Sequence, residues 1–364
     1  MRLPQGLLPA DDFLEWGAAQ ADMSAAAHAL AHAPEGVARQ APYNELVDAR
    51  RRCVAVIHRW LSAQLEPAPI LQPHTVVIIG DGALFDEGDA LKAVSLASAV
   101  AMRLLQQAGF ALLLFSRTSE MDTAALCGAF NLLGGIAEYG ARINPLSLEP
   151  ASIRQRFDQY STLRKALRAD PSVVLDASPG QSVCASRVMD GRLRALTGPD
   201  ARRLLESQHL TQLTFRVTPH CVDFVDRDVE CAEVLLAVLD QPSLRSLPIV
   251  AIGAANSDIP ALSVASKAFI PRTNLHGYQP PAHQRVIRCR SLADDVLWEA
   301  MWRLAPSSRL RQRAVEMFET AAPPKWFPPP LRRRPRLTDA VPAGYSDDWL
   351  ATTTLLATTH TRRH

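Results

Sequence analysis

Val76-Val77-Ile78-Ile79-Gly80-Asp81-Gly82-Ala83-Leu84-Phe85-Asp86 is the stretch whose reading decides the fold. Four consecutive β-branched residues predict a strand, and a run without polar alternation predicts a parallel strand buried on both faces. Asp81-Gly82 then breaks the run as a strand-to-loop turn. In open α/β sheets, ligands bind in the crevice beyond such strand ends. Taken singly, an Asp-Gly pair after an apolar run is a turn and no more.

Working outward, residues 90–108 read as a helix closed by Gly109, and 110–115 as the next apolar strand. A second helix covers 121–132, followed by Gly134-Gly135-Ile136-Ala137-Glu138-Tyr139-Gly140-Ala141. Strands alternating with helices predict an α/β fold, a Rossmann-like doubly wound parallel sheet. Residues 249–253 resume the buried strands, with a short strand at 286–288 and a helix at 292–304. The predicted core is therefore 71–145 together with 246–305. Residues 146–245 are richer in charge, with short strands at 173–175, 182–188 and 213–217 and a helix at 199–208. They predict an inserted α+β cap.

Residues 1–70 read as a helical N-terminal extension. Asp11-Asp12 stand before Phe13-Leu14 and Trp16 as an N-terminal signal, and apolar residues recur at helical spacing from Glu45 to Leu61. Pro67 and Pro69 close it. Residues 306–364 carry Pro328-Pro329-Pro330 and Arg332-Arg333-Arg334-Pro335-Arg336, the composition of a tail without a core of its own.

Hydrophobic residues make up 48% and charged residues 21%, an ordinary globular balance, so 364 residues can bury a sizeable core. A net charge of +2 predicts no attraction to nucleic acid. No apolar run reaches the roughly 18 residues of a membrane helix, so no membrane insertion is expected. Cys53, Cys127, Cys184, Cys221, Cys231 and Cys289 include no CxxC pair, which leaves zinc and dithiol motifs unsupported. Reduced buried thiols and a cytoplasmic location are the expectation. Neither HExxH nor GxSxG occurs, against a zinc protease or an esterase.

Four segments, in order over residues 74–300, resemble the haloacid dehalogenase superfamily. The nearest likeness is to its sugar-phosphate phosphatase branch, with sucrose-phosphate and mannosyl-3-phosphoglycerate phosphatases. The family's first motif is Asp-x-Asp-Gly-Thr, in which the first Asp attacks phosphorus and the second protonates the leaving group. Laid on this chain, the second Asp is Asp81, the Gly is Gly82 and the Thr is Ala83, so the nucleophile position falls on Ile79. Ser116-Arg117-Thr118 and Glu120 match the second motif, whose hydroxyl holds a phosphate oxygen. Ile136–Ala141 resembles the cap entrance. Gly253-Ala254-Ala255-Asn256-Ser257-Asp258-Ile259-Pro260-Ala261-Leu262 follows Gly-Asp-Ser-x-Asn-Asp-Ile-Pro-Met-Leu, but the magnesium-binding Asp is Ala254. The family lysine should lie near 227–230, where Arg227 is the nearest cation; two alignments differ by two residues and neither supplies a lysine.

The resemblance implies a magnesium site of two carboxylates and a carbonyl, the hard oxygen donors that ion prefers. With Ile79 and Ala254 in the carboxylate positions, phosphoryl transfer would lack both charge neutralisation and positioning. The expected protein is a catalytically degenerate sugar-phosphatase-like protein, acting by binding or as a subunit, with no catalytic residue and no cofactor. Ser116, Arg117, Gly82 and Arg227 would line a sugar-phosphate pocket, and Asp258 would be a residual metal ligand. The alternative is a magnesium-dependent phosphatase using a displaced carboxylate, Asp81, Asp86 or Asp89. Glu87 and Asp89 otherwise read as helix-capping acids. A protein partner would dock through the N-terminal helices or the Pro/Arg-rich tail.

Overall fold

The computed structural model describes residues 10–33, 39–66, 72–85, 93–144, 157–178, 180–189, 192–218, 220–227, 231–273, 275–291, 295–305 and 307–320. Asp86, Asp89, residues 228–230 and the Pro/Arg-rich segment lie outside them.

The described chain begins with a helical hairpin, α1 (Ala10–His32) and α2 (Gln40–Gln64). Then come β1 (Thr75–Gly80), a single helical turn α3 (Asp81–Leu84), α4 (Leu96–Gln107), β2 (Phe110–Phe115), α5 (Glu120–Phe130), β3 (Gly134–Ala137) and β4 (Arg142–Asn144). The next section holds α6 (Phe157–Arg168), β5 (Val173–Asp176), β6 (Val183–Met189), β7 (Arg192–Arg194), α7 (Gly198–Ser207), β8 (Leu213–Val217) and β9 (Val222–Asp226). Last come α8 (Cys231–Leu239), β10 (Ile249–Ile252), α9 (Ile259–Val264), β11 (Lys267–Ile270), β12 (Arg285–Arg288), α10 (Val296–Leu304) and α11 (Ser308–Thr320).

The core sheet runs β12-β11-β10-β1-β2-β3-β4, parallel throughout except for β4. The β1 run is buried on both faces, as its sequence predicts. Val77 and Ile79 join α2, α4, α10 and α11 on one side, while Val76 and Ile78 join α8 and α9 on the other. Helix starts follow local chemistry: the Ser95 side chain accepts from Ser98 N and the Ser119 side chain from Asp122 N. Asn131 ends α5 in the left-handed conformation.

The second sheet, β5-β6-β9-β8 with β7 on β6, is antiparallel and forms the cap. Its own core joins α6 and α7 through Leu163, Val183, Leu205, Leu213 and Phe224. Two stretches differ from their sequence reading. The apolar helix α8 packs Val234, Leu235 and Val238 on the core sheet, so the chain has returned to the core before residue 246. Beyond residue 305, α11 buries Ala314, Met317 and Phe318 in the main cluster, with the Phe318 ring 5.0 Å from Trp298.

The N-terminal hairpin touches both bodies. Trp16, Val56, Ile57, Trp60 and Leu61 sit in the core cluster, whereas Leu30, Tyr43 and Val47 pack against Val174 and Val188 of the cap. Gln40 pairs with the β5 edge in both directions: its Nε2 donates to Leu175 O at 2.7 Å and its Oε1 accepts from Leu175 N at 2.9 Å. A side chain thus covers backbone groups that an edge strand leaves open. Among the described residues, no helix is long and apolar enough to cross a membrane.

Candidate functional site

The loops after β1, β2 and β10 converge at the C-terminal edge of the sheet. Gly80 and Gly82 let two of them interlock. A Cβ on Gly80 would stand 2.3 Å from Asp258 Cγ, and one on Gly82 would stand 2.5 Å from the Ala255 nitrogen. No side chain larger than hydrogen fits at either point.

Asp258 fills that gap. Its Oδ2 accepts from the backbone nitrogens of Ala254 at 2.8 Å and Ala255 at 3.0 Å, and its Oδ1 from Gly82 N at 3.4 Å. The carboxyl is 1% exposed. Burial pushes its pKa up to about 7; the Ala255 amide opposes this, and the neighbouring Asp81 charge adds to it. With three amides on its oxygens, Asp258 ties the β10 loop to the β1 loop.

Asp81 lies just past the end of β1. Its Oδ2 accepts from the Arg117 backbone nitrogen at 2.8 Å, and the Arg117 Nε stands 3.8 Å from the same oxygen. Burial works against the Arg117 charge, but Asp81 and then Tyr139 hold its pKa above the ordinary value. A guanidinium thus stands beside the strand-end carboxylate. Ser116 follows β2, but its hydroxyl is engaged locally, 2.6 Å from Thr118 Oγ1 and accepting from Thr118 N at 2.9 Å.

The strand register relates these positions. Ile79 is paired with Leu114 and Ile252, and Gly80 with Phe115. Beyond those pairs, Asp81 opens α3 and accepts from the Arg117 nitrogen, while Ala254 lies two positions past Ile252. Ile79 and Ala254, the two positions matched to carboxylates by sequence, are therefore two residues apart in register. Ile79 and Ala83 are both wholly buried in the apolar cluster. Among the described residues, the side-chain donors at these strand ends are thus the Asp81 carboxylate and the Ser116 hydroxyl, with Asp258 occupied by backbone amides. That set does not fit a magnesium cradle of two free carboxylates. Arg227 is exposed, and its recorded bonds run to Gln212 and Leu213 within the cap.

Sequence reasoning missed the roles of Glu138 and Tyr139. Glu138, Tyr139 and Gly140 all have positive φ, at 49°, 59° and 108°, a costly conformation for the first two. The turn is held by Glu138 N donating to Thr118 O and Tyr139 N to Ser116 O. From it, Glu138 reaches into the cap: Gly180 N donates to Oε1 at 2.9 Å, and Gln181 N to Oε2 at 2.7 Å. Tyr139 Oη donates to Asp223 Oδ2 at 2.7 Å. A resemblance to the cap entrance was visible in the sequence, but the two latches were not.

A cavity of about 280 Å³ opens between three parts of the chain. Helix α2 contributes Arg50, Val54 and His58; the core contributes Phe85, Arg117 and Leu126; the cap contributes Asp176, Cys184 and Asp223. Arg51 is bound to Asp122 of α5 at 2.9 Å, which fixes α2 against this wall. Burial lowers the His58 pKa to about 4, so the ring is neutral near pH 7, and its Nε2 accepts from Val94 N at 3.2 Å.

No family model matches the sequence, and no curated protein matches it. Solved structures with a similar fold include a Thermoplasma acidophilum protein, 12% identical over 64% of this chain and 98% of that one, with a TM-score of 0.49. A phosphatase of the haloalkanoate superfamily from Bacteroides thetaiotaomicron is 15% identical over 66% and 97%, with a TM-score of 0.44. The sucrose-phosphatase of Synechocystis, solved with sucrose and phosphate, is 12% identical over 64% and 98%, with a TM-score of 0.43. At these identities the likeness is one of fold.

Proposed function

We propose that this chain is a catalytically degenerate phosphatase-like protein that binds an anionic sugar compound in the cavity between α2, the core and the cap. One observation carries the reading: among the described residues at these strand ends, Asp81 is the carboxylate besides the amide-bound Asp258, and it stands beside the Arg117 guanidinium. Metal-assisted phosphoryl transfer depends on charge neutralisation and on positioning of the reacting groups. Here the positive charge beside Asp81 belongs to a side chain. Arg117 is fitted to hold a phosphate or carboxylate, since its planar fork matches either anion. Arg50 adds a second cation from the opposite wall. The ligand is enclosed by aliphatic surface from Val54 and Leu126, which suits a sugar ring better than a bare ion.

Calorimetric titration with hexose phosphates and a colorimetric phosphatase screen with added magnesium test this. Millimolar or tighter binding that weakens at least tenfold in Arg117→Gln, without turnover above a blank, is the expected result. Absence of binding to every sugar phosphate would sink it.

A second reading has its own support. Asp81, one residue past β1 and beside Arg117, is the carboxylate that a displaced nucleophile would require. Magnesium-dependent turnover that disappears in Asp81→Asn would establish that enzyme instead.

A further inference from the structure

The cap face turned toward the cavity carries a row of polar residues set side by side by strand register. Asp176 of β5 is opposite Cys184 of β6, and Cys184 is opposite Asp223 of β9. Directly opposed residues in an antiparallel pair share a face. Cys221, two residues before Asp223, shares it too. The Sγ atoms of Cys184 and Cys221 and a carboxylate oxygen of Asp223 all lie within 4.8 Å of one another. All three residues line the cavity.

We propose that Cys184, Cys221 and Asp223 form a binding site for a thiophilic divalent cation such as zinc, with the fourth coordination position open to the cavity. Zinc bonds of about 2.3 Å to thiolate and about 2.0–2.2 Å to carboxylate put tetrahedral donors roughly 3.5 Å apart. Side-chain rotations that draw the three atoms together by about 1 Å reach that geometry. Two sulfurs select against magnesium and calcium, which prefer oxygen. The support around the ligands is already built. Tyr139 Oη holds Asp223 Oδ2 at 2.7 Å, while Asp223 Oδ1 stands 3.9 Å from Cys221 Sγ. Such outer hydrogen bonds orient a ligating carboxylate.

Two thiolates and one carboxylate carry three negative charges, of which a divalent ion neutralises two, and the Arg117 guanidinium is attracted to Cys221 and Asp223 as well as to Asp81. Arg216, opposite Asp223 on β8, is drawn away over the Tyr139 ring, 4.4 Å from its centroid. Metal binding would release the thiol protons of Cys184 and Cys221 to solvent as each sulfur lone pair turns to the ion. The site does not involve the Asp81 carboxylate, and it stands whether or not the cavity takes a sugar phosphate.

Cobalt(II) titration of the reduced full-length protein is the test. The expected result is a sulfur-to-cobalt charge-transfer band saturating at one equivalent and abolished by one equivalent of zinc. Cys184→Ser and Cys221→Ser should each weaken binding at least 100-fold, and Asp223→Asn at least tenfold. Zinc should also protect Cys184 and Cys221 of the unaltered protein from alkylation, a readout that survives if a variant fails to fold. No band at millimolar cobalt, a band unchanged in Cys184→Ser, or protection confined to other cysteines would overturn the proposal. So would a Cys184–Cys221 disulfide whose reduction restores no cobalt uptake.

Discussion

At Ile79 the side chain is wholly buried among Val77, Leu114 and Ile252, so an aspartate there would place a charge inside the apolar layer. Ile79→Asp should destabilise the fold by more than about 3 kcal/mol, with no magnesium-dependent recovery. Ala254 is half-buried, two positions past the Ile79–Ile252 pair. Ala254→Asp should instead raise the melting temperature by several degrees in millimolar magnesium, because an ion that binds only the folded state stabilises it. Thermal melts of both variants, with and without the ion, decide between the two registers. Asp258 adds a pH effect. Its carboxyl titrates near 4 when unfolded and at about 7 when folded. Its contribution is therefore full below about pH 4 and is lost as pH rises through about 7. Urea midpoints from pH 4 to 8 should fall for the native protein relative to Asp258→Asn. A difference that stays constant with pH would count against the raised pKa.

Among the elements, the strained turn after β3 governs how cap and core meet. Glu138 is 1% exposed and accepts from two cap amides and from Ser182 Oγ. Glu138→Ala would leave the buried Gln181 amide without its acceptor, at about 1–3 kcal/mol. A loss of about 1–3 kcal/mol in chemical denaturation is expected, with Glu138→Gln losing less. The apolar runs of β1, β2 and β10 were legible because burial on both faces writes itself as consecutive Val, Ile and Leu. Strand β9 was not, since Val222-Asp223-Phe224-Val225-Asp226 mixes acids into a strand with only one apolar face. Helix α8, Cys231–Leu239, was missed because a stretch apolar but for Glu233 carries little helical periodicity. Strands β3 and β4 are too short, at four and three residues, for a pattern to show.

Across the whole molecule, the N-terminal hairpin bridges the two bodies instead of standing apart from them. Its α2 supplies one wall of the cavity, core contacts and the Gln40 clasp on β5. A cap held this way is restrained by residues more than a hundred positions upstream. Gln40→Ala should speed hydrogen exchange at the Leu175 amide at least tenfold while leaving β1 and β2 protected. Unchanged exchange at Leu175 would show that the edge is covered by other means.

The sequence by itself determined the layered α/β core, the presence of an inserted cap and the neighbourhood of the site. These follow from local composition: apolar runs, glycine turns and charge density act over a few residues each. It also predicted apolar residues, Ile79 and Ala254, at both positions of the expected carboxylate pair. Only the tertiary structure decided which residues face one another. The two-residue offset between Ile79 and Ala254, the guanidinium beside Asp81, the Glu138 latch and the meeting of Cys184 with Cys221 all depend on strand register and loop approach. Register is set by how whole faces pack, and no spacing along the chain encodes the approach of two residues 37 positions apart, one on β6 and one just before β9.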